Sequence, residues 1–357
     1  MSTAKDAGAR ASAAAGSVTS AFGHRLLGLP GTHLGAVRVP KPIGGPWHYW
    51  WQAHYLDCLL DAAEREGNND DGAAHRTRAR RLLRTIRLRN GGRWTNAYYD
   101  DMAWLSLAAL RSADLARNRP LTKLTRVLAS AHSPDLGGGL FWNTSRDFKN
   151  TPATGPTALY FALIGRQEEA QRMVDWLFDR LLDPRTGLLF DGLRMRSQEL
   201  VTDIYTYNQG PVLGALLSLG GERNVDRAEA LIGAVSQSLV QSGGALRTHG
   251  GGGDGGLFTG ILVRYLALAA ASPLLSETSR STARTLITAT ADALWEGRGE
   301  LGLDRRRRRT VLVFPEAPYP HAGTGAAELS TQLQAWMVFE AAYRVSESAD
   351  AEAASGR

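Results

Sequence analysis

Hydrophobic residues recur every three or four positions along most of the chain, which is the spacing that gathers them on one face of an α-helix. Eleven segments with this spacing are predicted to be helices, and they are Trp47–Arg65, Ala74–Arg89, Ala97–Arg117, Leu121–His132, Pro156–Gly165, Gln167–Leu182, Pro211–Leu219, Val225–Gln241, Phe258–Ala271, Glu277–Leu294 and Glu328–Val345. A twelfth helix is expected if Ala13–Leu27 contributes one. Strand-like stretches are restricted to 188–190 and 311–314, each too short and isolated for a large sheet. The pattern therefore predicts an all-α fold.

The predicted helices are of two kinds. The segment 210–221 is apolar all round, as a helix in a core would be, whereas the segment 224–241 has one apolar and one polar face. Hairpins that pair one kind with the other, repeated about six times, predict a closed (α/α)6 barrel. An open helical solenoid can be built from the same hairpins. We favour the closed barrel, because no fixed repeat length is present in the sequence.

The two ends of the chain differ in composition from the rest. Residues 1–20 and 347–357 are rich in small residues, and we expect both ends to be flexible. Between them, residues 21–346 are predicted to form a single barrel domain. The one cysteine, Cys58, lies in an apolar helical pattern and excludes an intrachain disulfide. We expect the protein to be a monomer.

Much of the formal net charge of +6 is concentrated in Arg76–Arg89 and in the run Arg305–Arg309. The first stretch places leucines among arginines at helical spacing, so it predicts an amphipathic surface helix. The second lies in a predicted loop without interleaved aromatic residues, so no nucleic-acid partner is expected. No segment is apolar for long enough to span a membrane or to act as a signal peptide. We therefore expect a cytoplasmic protein, with export by a non-Sec route as the alternative.

Two adjacent carboxylates, Asp100 and Asp101, stand at the start of a strongly apolar helical run. Acidic residues at a helix N-terminus are ordinarily caps or surface groups that the helix dipole favours. Here no basic residue follows at helical spacing, so the two carboxylates are expected to repel each other and one to have a raised pKa. Glycoside hydrolysis uses such a pair, one protonated and one ionised. Consecutive side chains can reach the separation of about 5–5.5 Å found in retaining enzymes.

Metal binding is an alternative use of paired aspartates. The DDxxD pattern of helical prenyl-diphosphate enzymes holds Mg²⁺, but the fifth position here is Trp104. The other adjacent pair, Asp70 and Asp71, also lacks this continuation and lies in a polar turn. No cluster of His and Cys has the spacing of a zinc site, and no GxSxG motif is present. The sequence therefore predicts neither a metal nor a cofactor.

Several glycine-rich loops carry polar and aromatic side chains suited to hydroxyl-rich ligands. Glycine lets the backbone approach a ligand closely, and amides and carboxylates offer donors and acceptors to sugar hydroxyls. Each of these side chains can equally cap its own loop. The predicted sugar-binding residues, including the tyrosine that precedes the aspartate pair, are Tyr99, Trp142, Asn143, Lys149, Asn150, Tyr207, Asn208, Gln209 and Asp254.

From about Trp47 to Val345 the chain resembles glycoside hydrolase family 76, the endo-α-1,6-mannanases. Six segments carry the resemblance, and they are WWQAHYLDCLLDA (50–62), NAYYDDMAWLSLAALR (96–111), GGGLFWNTSRDFKN (137–150), YTYNQGPVLGALL (205–217), GDGGLFTGILVRYLA (253–267) and ELSTQLQAWMVFEAA (328–342). The YYDDMAW and TYNQG segments together are fairly specific. One departure is Thr259, which stands where the family typically has a lysine.

The resemblance implies an (α/α)6 barrel and retaining, endo-acting cleavage of α-1,6-linked mannan or of the mannan core of a glycolipid. It implies that Asp100 is the nucleophile and Asp101 the general acid/base, although the residues themselves do not distinguish the two. It also implies sugar subsites lined by Trp142, Asn150, Tyr207, Asn208, Gln209 and Asp254. The expected partner is an α-mannan oligosaccharide or polysaccharide.

Two other functions are compatible with this pattern. Family 76 has relatives thought to be transglycosylases, and a retaining enzyme can pass its glycosyl intermediate to a sugar instead of water. A barrel that binds mannan without cleaving it is the other, but such a barrel has no need of two adjacent carboxylates that repel each other.

Overall fold

The computed structural model describes residues 3–41, 46–112, 119–250, 252–304, 309–316 and 326–355, and over these ranges it contains twelve α-helices in two layers. The inner helices are buried on nearly all sides, and they are α2 (Tyr49–Glu66), α4 (Tyr99–Arg111), α6 (Thr151–Leu163), α8 (Thr206–Leu219), α10 (Gly255–Ala270) and α12 (Leu329–Ser355). The outer helices are α1 (Ala4–Ala21), α3 (Asp70–Arg89), α5 (Arg119–Ala131), α7 (Gln167–Arg180), α9 (Glu222–Ser238) and α11 (Glu277–Glu296). Of these twelve helices, none is long and apolar enough to cross a membrane.

The inner helices form a closed ring. Each inner helix packs against the next one along the chain, and α12 returns to contact α2. Five outer helices pack on the inner helix that precedes them, while α1 packs on α12, so that the two ends of the chain complete the sixth hairpin. The predicted (α/α)6 barrel is therefore confirmed, and the open solenoid is wrong.

The N-terminal segment differs from the flexible end predicted over residues 1–20. Thr3 caps α1, and the face that carries Ala11, Ala14 and Val18 is buried. Alanine side chains are small enough for α1 to approach α12 closely, so a composition that looks flexible packs well here. At the other end, α12 extends through residues 347–355 of the predicted tail. Residues 305–308 of the arginine run lie outside the described residues.

Two inner helices begin earlier than the hydrophobic pattern predicts, α6 at residue 151 and α8 at residue 206. Their first six residues, TPATGP and TYNQGP, share a threonine, a glycine and a proline at the same positions. A proline inside a helix removes a backbone donor and usually marks a helix start or break, so the sequence pattern places the start of each helix at its proline. The glycines permit close helix packing, because a Cβ at Gly155 would lie 3.0 Å from Val212 and one at Gly210 would lie 2.8 Å from Tyr265.

The strands are short and lie in the connections between helices. Within the described ranges they are β1 (Gly23–His24), β2 (Leu34–Gly35), β3 (Arg38–Val39), β4 (Phe148–Asn150), β5 (Gly192–Arg194), β6 (Leu200–Val201), β7 (Gly299–Asp304), β8 (Arg309–Val313) and β9 (Ala327–Glu328). The predicted strand at 311–314 overlaps β8. The one predicted at 188–190 is reduced to a single antiparallel bridge between Leu189 and Leu182, and the N–H and carbonyl groups of Leu189 itself bond to the side chain of Gln209.

Four inner helices hold the loop before them through the side chain at their fourth position. Thr154 of α6 accepts a hydrogen bond from the backbone N–H of Leu140 at 3.0 Å. Three glutamines go further, since each accepts from a backbone N–H and donates to the carbonyl oxygen of the same residue at 2.8–3.0 Å, in the pairs Gln52 with Gly35, Gln209 with Leu189 and Gln332 with Phe314. These buried amides fix the loops at the end of the barrel where the inner helices begin.

A cluster of buried charges joins four inner helices in the other half of the barrel. Asp61 of α2 is 3% exposed and lies 2.7–2.8 Å from the guanidinium groups of Arg111, Arg264 and Arg344, which belong to α4, α10 and α12. Asp57, one turn earlier, pairs with two of the same arginines. Burial alone would raise the pKa of Asp61, but the three arginines outweigh burial and lower the pKa below its usual range.

Replacement of Asp61 by asparagine is expected to destabilise the fold by about 3–5 kcal/mol, because three guanidinium groups lose their shared counter-charge. Urea unfolding monitored by circular dichroism measures the loss. The lowered pKa means that the wild type keeps this contribution above about pH 4 and loses it as the pH falls, so the two proteins should converge in acid. Asp292→Asn, at an exposed pair with Arg10, is the control and should cost at most about 1 kcal/mol. Equal losses in both variants would contradict the prediction.

Candidate active site

A cleft of about 400 Å³ opens at the end of the barrel where the inner helices begin. The second residues of α2, α4 and α8 and the N-terminal caps of α6 and α10 all contribute to it. Helix N-termini favour nearby negative charge, and four of the lining residues are aspartates. The residues that line the cleft are Trp50, Asp100, Trp104, Trp142, Phe148, Asn150, Asp191, Arg194, Val201, Asp203, Tyr205, Tyr207, Asp254 and Phe258.

The aspartate pair occupies the first turn of α4. One carboxylate oxygen of Asp100 accepts a hydrogen bond from Nε1 of Trp142 at 2.9 Å, and the other accepts from the backbone N–H of Asp101 at 2.9 Å. The carboxylate of Asp101 accepts a hydrogen bond from the side-chain amide of Asn96. The two carboxyl groups are half-buried and adjacent, but their hydrogen-bond partners differ.

Burial raises the pKa of both carboxyl groups. The pKa of Asp100 rises to about 7, although the N–H donors of Asp101 and Trp142 oppose this rise by stabilising the carboxylate. Burial and then the negative charge of Asp100 raise the pKa of Asp101 well above its usual range. Two adjacent acids of this kind ionise one at a time. The donors around Asp100 favour ionisation there first, while Asp101 keeps its proton.

Aromatic rings form one wall of the cleft. Tyr207 and Phe258 are stacked with ring centroids 4.0 Å apart and planes at 13°. The ring centroids of Trp50 and Tyr207 are 6.4 Å apart, and Nε1 of Trp50 donates to a carboxylate oxygen of Asp254 at 3.1 Å. Trp51 donates to the same oxygen at 2.8 Å, so Asp254 is fixed by two indole donors. A wall of flat apolar faces with a held carboxylate suits a ligand that has both ring faces and hydroxyl groups.

Polar groups from the three-stranded sheet β4–β5–β6 and its flanks form the facing wall. Burial raises the pKa of Asp191 to about 6, against the opposing hydrogen bond that the Asn208 amide donates to it at 3.2 Å. The guanidinium of Arg194 lies 4.7 Å from the ring centre of Phe148, and Asp203 is exposed at the rim. Carboxylates and a guanidinium on this side offer hydrogen-bond partners to hydroxyl groups.

Five of the residues predicted from the sequence line this cleft, and they are Asp100, Trp142, Asn150, Tyr207 and Asp254. Asp101 follows Asp100 in the same turn of α4. Asn208 is buried and does not line the cleft itself. Its side-chain amide donates a hydrogen bond to Asp191, which does. Asn150 also caps α6 by accepting the N–H of Ala153, so it has a structural use as well.

Four other predicted sugar-binding residues lie outside the cleft lining. Tyr99 is buried in the core, and the side-chain Oδ1 of Asn143 accepts hydrogen bonds from the backbone N–H and the hydroxyl of Ser145 within its own turn. The Gln209 amide is used by the backbone of the preceding loop, and its side chain is fully buried. Lys149 is fully buried too, and its Nζ donates to the carbonyl oxygens of three residues in the loop 133–138. In the structure the side chains of Asn143, Lys149 and Gln209 thus make loop-holding contacts of the kind that the loop-capping alternative describes, and Tyr99 lies in the core.

Several lining residues were not predicted. Trp50 and Trp104 lie in helical patterns that read as core, and nothing in their spacing marks the cleft. Asp191 and Asp203 lie in the connection between α7 and α8, where no periodicity assigns a direction to a side chain. Trp50 and Trp104 both belong to segments that carry the family resemblance, and this was the one available signal for them. Within the described residues, no group of three His, Cys, Asp or Glu side chains is arranged to hold a metal ion.

Comparison with known proteins identifies the family. The family described as Glycosyl hydrolase family 76 matches residues 9–342. No curated protein matches the chain. Among solved structures, the α-1,6-mannanase of Salegentibacter sp. HEL1_6 has 29% sequence identity and a TM-score of 0.81, and the match covers 95% of this chain and 100% of that one. A structure from Listeria innocua has 23% identity and a TM-score of 0.80 over 97% of this chain and 98% of that one, and it bears on the fold alone.

The Salegentibacter enzyme has also been solved as an inactive variant in complex with α-1,6-mannotriose, again with 29% identity and a TM-score of 0.81 over 95% of this chain and 100% of that one. That variant carries asparagine in place of two consecutive aspartates. A second inactive variant, with alanine at both positions, is in complex with α-1,6-mannotetrose.

Lys149→Met is expected to destabilise the protein by about 2–3 kcal/mol, because three carbonyl oxygens lose a charged donor in the interior. Urea unfolding measures this loss, and amide hydrogen exchange should accelerate over residues 133–138. Lys123→Met, at an exposed position on α5, should change stability by less than about 0.5 kcal/mol. If the Lys149 variant instead kept its stability but no longer bound an oligosaccharide, the prediction would be wrong and Lys149 would belong to the sugar site.

Proposed function

The chain belongs to glycosyl hydrolase family 76, and from that premise we propose that it is an endo-acting α-1,6-mannanase that retains the anomeric configuration. It is a glycoside hydrolase that acts on mannan. We further propose that the cleaved linkage is α-1,6, that cleavage occurs within the mannan chain, and that the aspartate pair carries it out. The observation that carries it is the pair itself: Asp100 lines the cleft and accepts two N–H donors, and Asp101, the next residue in the same turn, accepts a hydrogen bond from Asn96.

In the proposed mechanism Asp100 attacks the anomeric carbon of the sugar whose bond is broken. A carbon–oxygen bond forms to the Asp100 carboxylate, and the bond to the leaving sugar breaks as Asp101 gives its proton to the glycosidic oxygen. Asp101 is then a carboxylate and takes a proton from water, which attacks the same carbon and releases Asp100. Two displacements at one carbon return the original configuration.

The different surroundings of the two carboxyl groups support this division of roles. A nucleophile must be ionised, and two N–H groups donate to Asp100. A general acid must be protonated, and Asp101 has a pKa raised by burial and by its neighbour. The two consecutive aspartates replaced in the inactive Salegentibacter variants support the same pair.

The lining of the cleft and the ligands of the relative support an endo-acting enzyme on α-1,6-mannan. The cleft of about 400 Å³ is lined by residues of α2, α4, α8 and α10 and of the connections before α6 and α8. The relative at 29% identity has been solved with α-1,6-mannotriose and α-1,6-mannotetrose, both linear chains of the proposed substrate. The aromatic wall of Tyr207 and Phe258 offers ring faces for sugar stacking.

Asp100→Asn and Asp101→Asn are each expected to lower kcat on linear α-1,6-mannan by about 10²–10⁴-fold, because each removes one proton-transfer or bond-forming group. Chromatography of the products measures the loss, and NMR of the newly formed anomeric centre tests retention. Asp70→Asn and Asp71→Asn, at the other adjacent pair, should retain full activity. Wild-type activity in the Asp100 and Asp101 variants would refute the assignment, and products longer than the substrate would indicate transfer to a sugar.

The pH dependence of kcat/KM is expected to be bell-shaped. Activity should rise as the pH increases through about 7, because Asp100 must lose its proton, and should fall at higher pH as Asp101 loses its own. Trp142→Phe removes a donor to the Asp100 carboxylate, so the pKa of Asp100 and the acidic limb should move to higher pH. Trp176→Phe, whose indole donates to the Leu136 carbonyl elsewhere, should leave that limb in place. A Trp142 variant with an unchanged acidic limb would contradict the prediction.

A further inference from the structure

One face of the barrel concentrates positive charge at the same end as the cleft. Between residues 72 and 99 the chain has eight arginines and no acidic residue, and between 22 and 56 it has three basic residues and again no acidic one. Together these two segments hold more positive charge than the chain's net of +6. The first segment is α3 with its connection to α4, and the second includes the loop that joins β1 to β2.

The arginines of α3 form an exposed ridge. Arg80, Arg81, Arg84, Arg87 and Arg89 all have exposed side chains. In the part of the chain that the structure describes, no guanidinium group of this helix lies within 4.0 Å of a carboxylate, whereas six arginines of the other outer helices, exposed or half-buried, have such a partner. The ridge therefore projects uncompensated positive charge into solvent.

Large apolar side chains project beside this ridge. Leu27 is 91% exposed, Leu29 is 51% exposed and Leu88 is 57% exposed. Leu27 has a φ of 48°, an unfavourable conformation for a residue with a side chain, which turns it outward. Leu27 and Arg89 line one recess, so the apolar loop and the basic helix end are contiguous.

The loop that carries Leu27 and Leu29 is fixed against α3. The backbone N–H of His33 donates to Oγ1 of Thr85 at 3.0 Å, and Oγ1 of Thr32 accepts from the N–H of Leu26 at 3.0 Å. The apolar tip is thus presented on a braced loop and does not need to order on contact. We define the basic face as the exposed arginines 80, 81, 84, 87 and 89 together with Leu27, Leu29 and Leu88.

We propose that the basic face docks the protein onto an anionic lipid membrane. Unpaired arginines attract a negatively charged surface, and exposed leucines among them insert into the boundary between headgroups and acyl chains. A nucleic acid would match the charge, but it offers nothing to three aliphatic side chains, and the rings beside these arginines, Trp47 and Trp94, are half-buried and already covered by Arg89 and Arg87. The pairing of charge with aliphatic tips is what favours lipid.

The basic face lies at the same end of the barrel as the cleft, so docking would orient the cleft relative to the membrane. The short turn between α2 and α3 makes these helices antiparallel, so the C-terminal end of α3 lies beside the N-terminal ends of the inner helices, where the cleft opens. Docking would bring the cleft towards glycans that are attached to lipid. This use rests on the proposed function, whereas the docking itself does not.

The test is co-sedimentation of the full chain with vesicles of phosphatidylcholine alone and of phosphatidylcholine mixed with phosphatidylglycerol. Wild type should bind the mixed vesicles only, and about 0.5 M salt should release most of it. The triple variant Arg80→Gln, Arg81→Gln, Arg84→Gln should bind on the order of 100-fold more weakly. Leu27→Ser with Leu88→Ser keeps the charge and should weaken binding by about tenfold.

A charge-matched control is available on other outer elements, where Arg172, Arg185 and Arg223 have side chains 61%, 82% and 66% exposed. Their combined replacement by Gln should leave vesicle binding intact. Failure of the wild type to bind the mixed vesicles, or an equal loss in the control, would overturn the proposal. The docking proposal would also be overturned if the leucine variant bound the mixed vesicles as tightly as wild type and the basic face bound duplex DNA.

Hydrolysis of soluble α-1,6-mannotetraose without vesicles separates this proposal from the proposed function. The arginine and leucine variants should cleave it as wild type does, because none of the substituted residues lines the cleft. A protein that binds vesicles but cleaves no mannan would refute the function and leave the docking standing. An active enzyme that ignores vesicles would do the reverse.

Discussion

The closed ring depends on a buried carboxylate with three arginines. Asp61 draws Arg111, Arg264 and Arg344 from three other inner helices to one point, so four of the six inner helices are held at fixed separations. Taking these charges out of water is unfavourable, and the cluster persists because every member has an opposite charge within hydrogen-bond distance. Hydrophobic packing alone is not directional, whereas this cluster specifies which helices meet. The inner helices can then lie further apart at the other end of the barrel, where the cleft opens.

At the cleft end, the direction of each side chain follows from its position in the first turn of an inner helix. The second residues of α2, α4 and α8, which are Trp50, Asp100 and Tyr207, face the cleft. The fourth residues, such as Gln209, point about 200° away and hold the preceding loop. Successive helical residues differ by about 100°, so one short motif supplies both an aromatic ring of the cleft and a structural anchor. The same division is present in α2, where Trp50 lines the cleft and Gln52 holds the loop at Gly35.

This geometry explains how much could be predicted from the sequence. Helix periodicity identified the all-α class, and the unpaired carboxylates marked Asp100 and Asp101 as candidate catalytic residues. The TYNQG motif lies at the cleft, but its chemistry alone could not assign Tyr207 to the cleft and Gln209 to the loop, since both are polar groups near glycines. Asp191 was missed because its direction is set by a sheet of two- and three-residue strands, which leave no periodic pattern. The helix formed by residues 4–21 was not expected because small residues favour both flexibility and close helix packing.

Opposite charges share one end of the barrel without cancelling each other. The carboxyl groups of the cleft require burial to keep their pKa values raised, and a nearby guanidinium would lower those values. The arginines at the end of α3 are exposed on the outer layer, and two of them lie over Trp47 and Trp94, at 5.6 and 5.7 Å. These rings and Tyr49, whose hydroxyl donates to the Trp94 carbonyl oxygen, stand between the ridge and α4. Solvent and salt screen exposed charges beyond about 10 Å, so the aromatic layer lets an acidic site and a basic surface coexist.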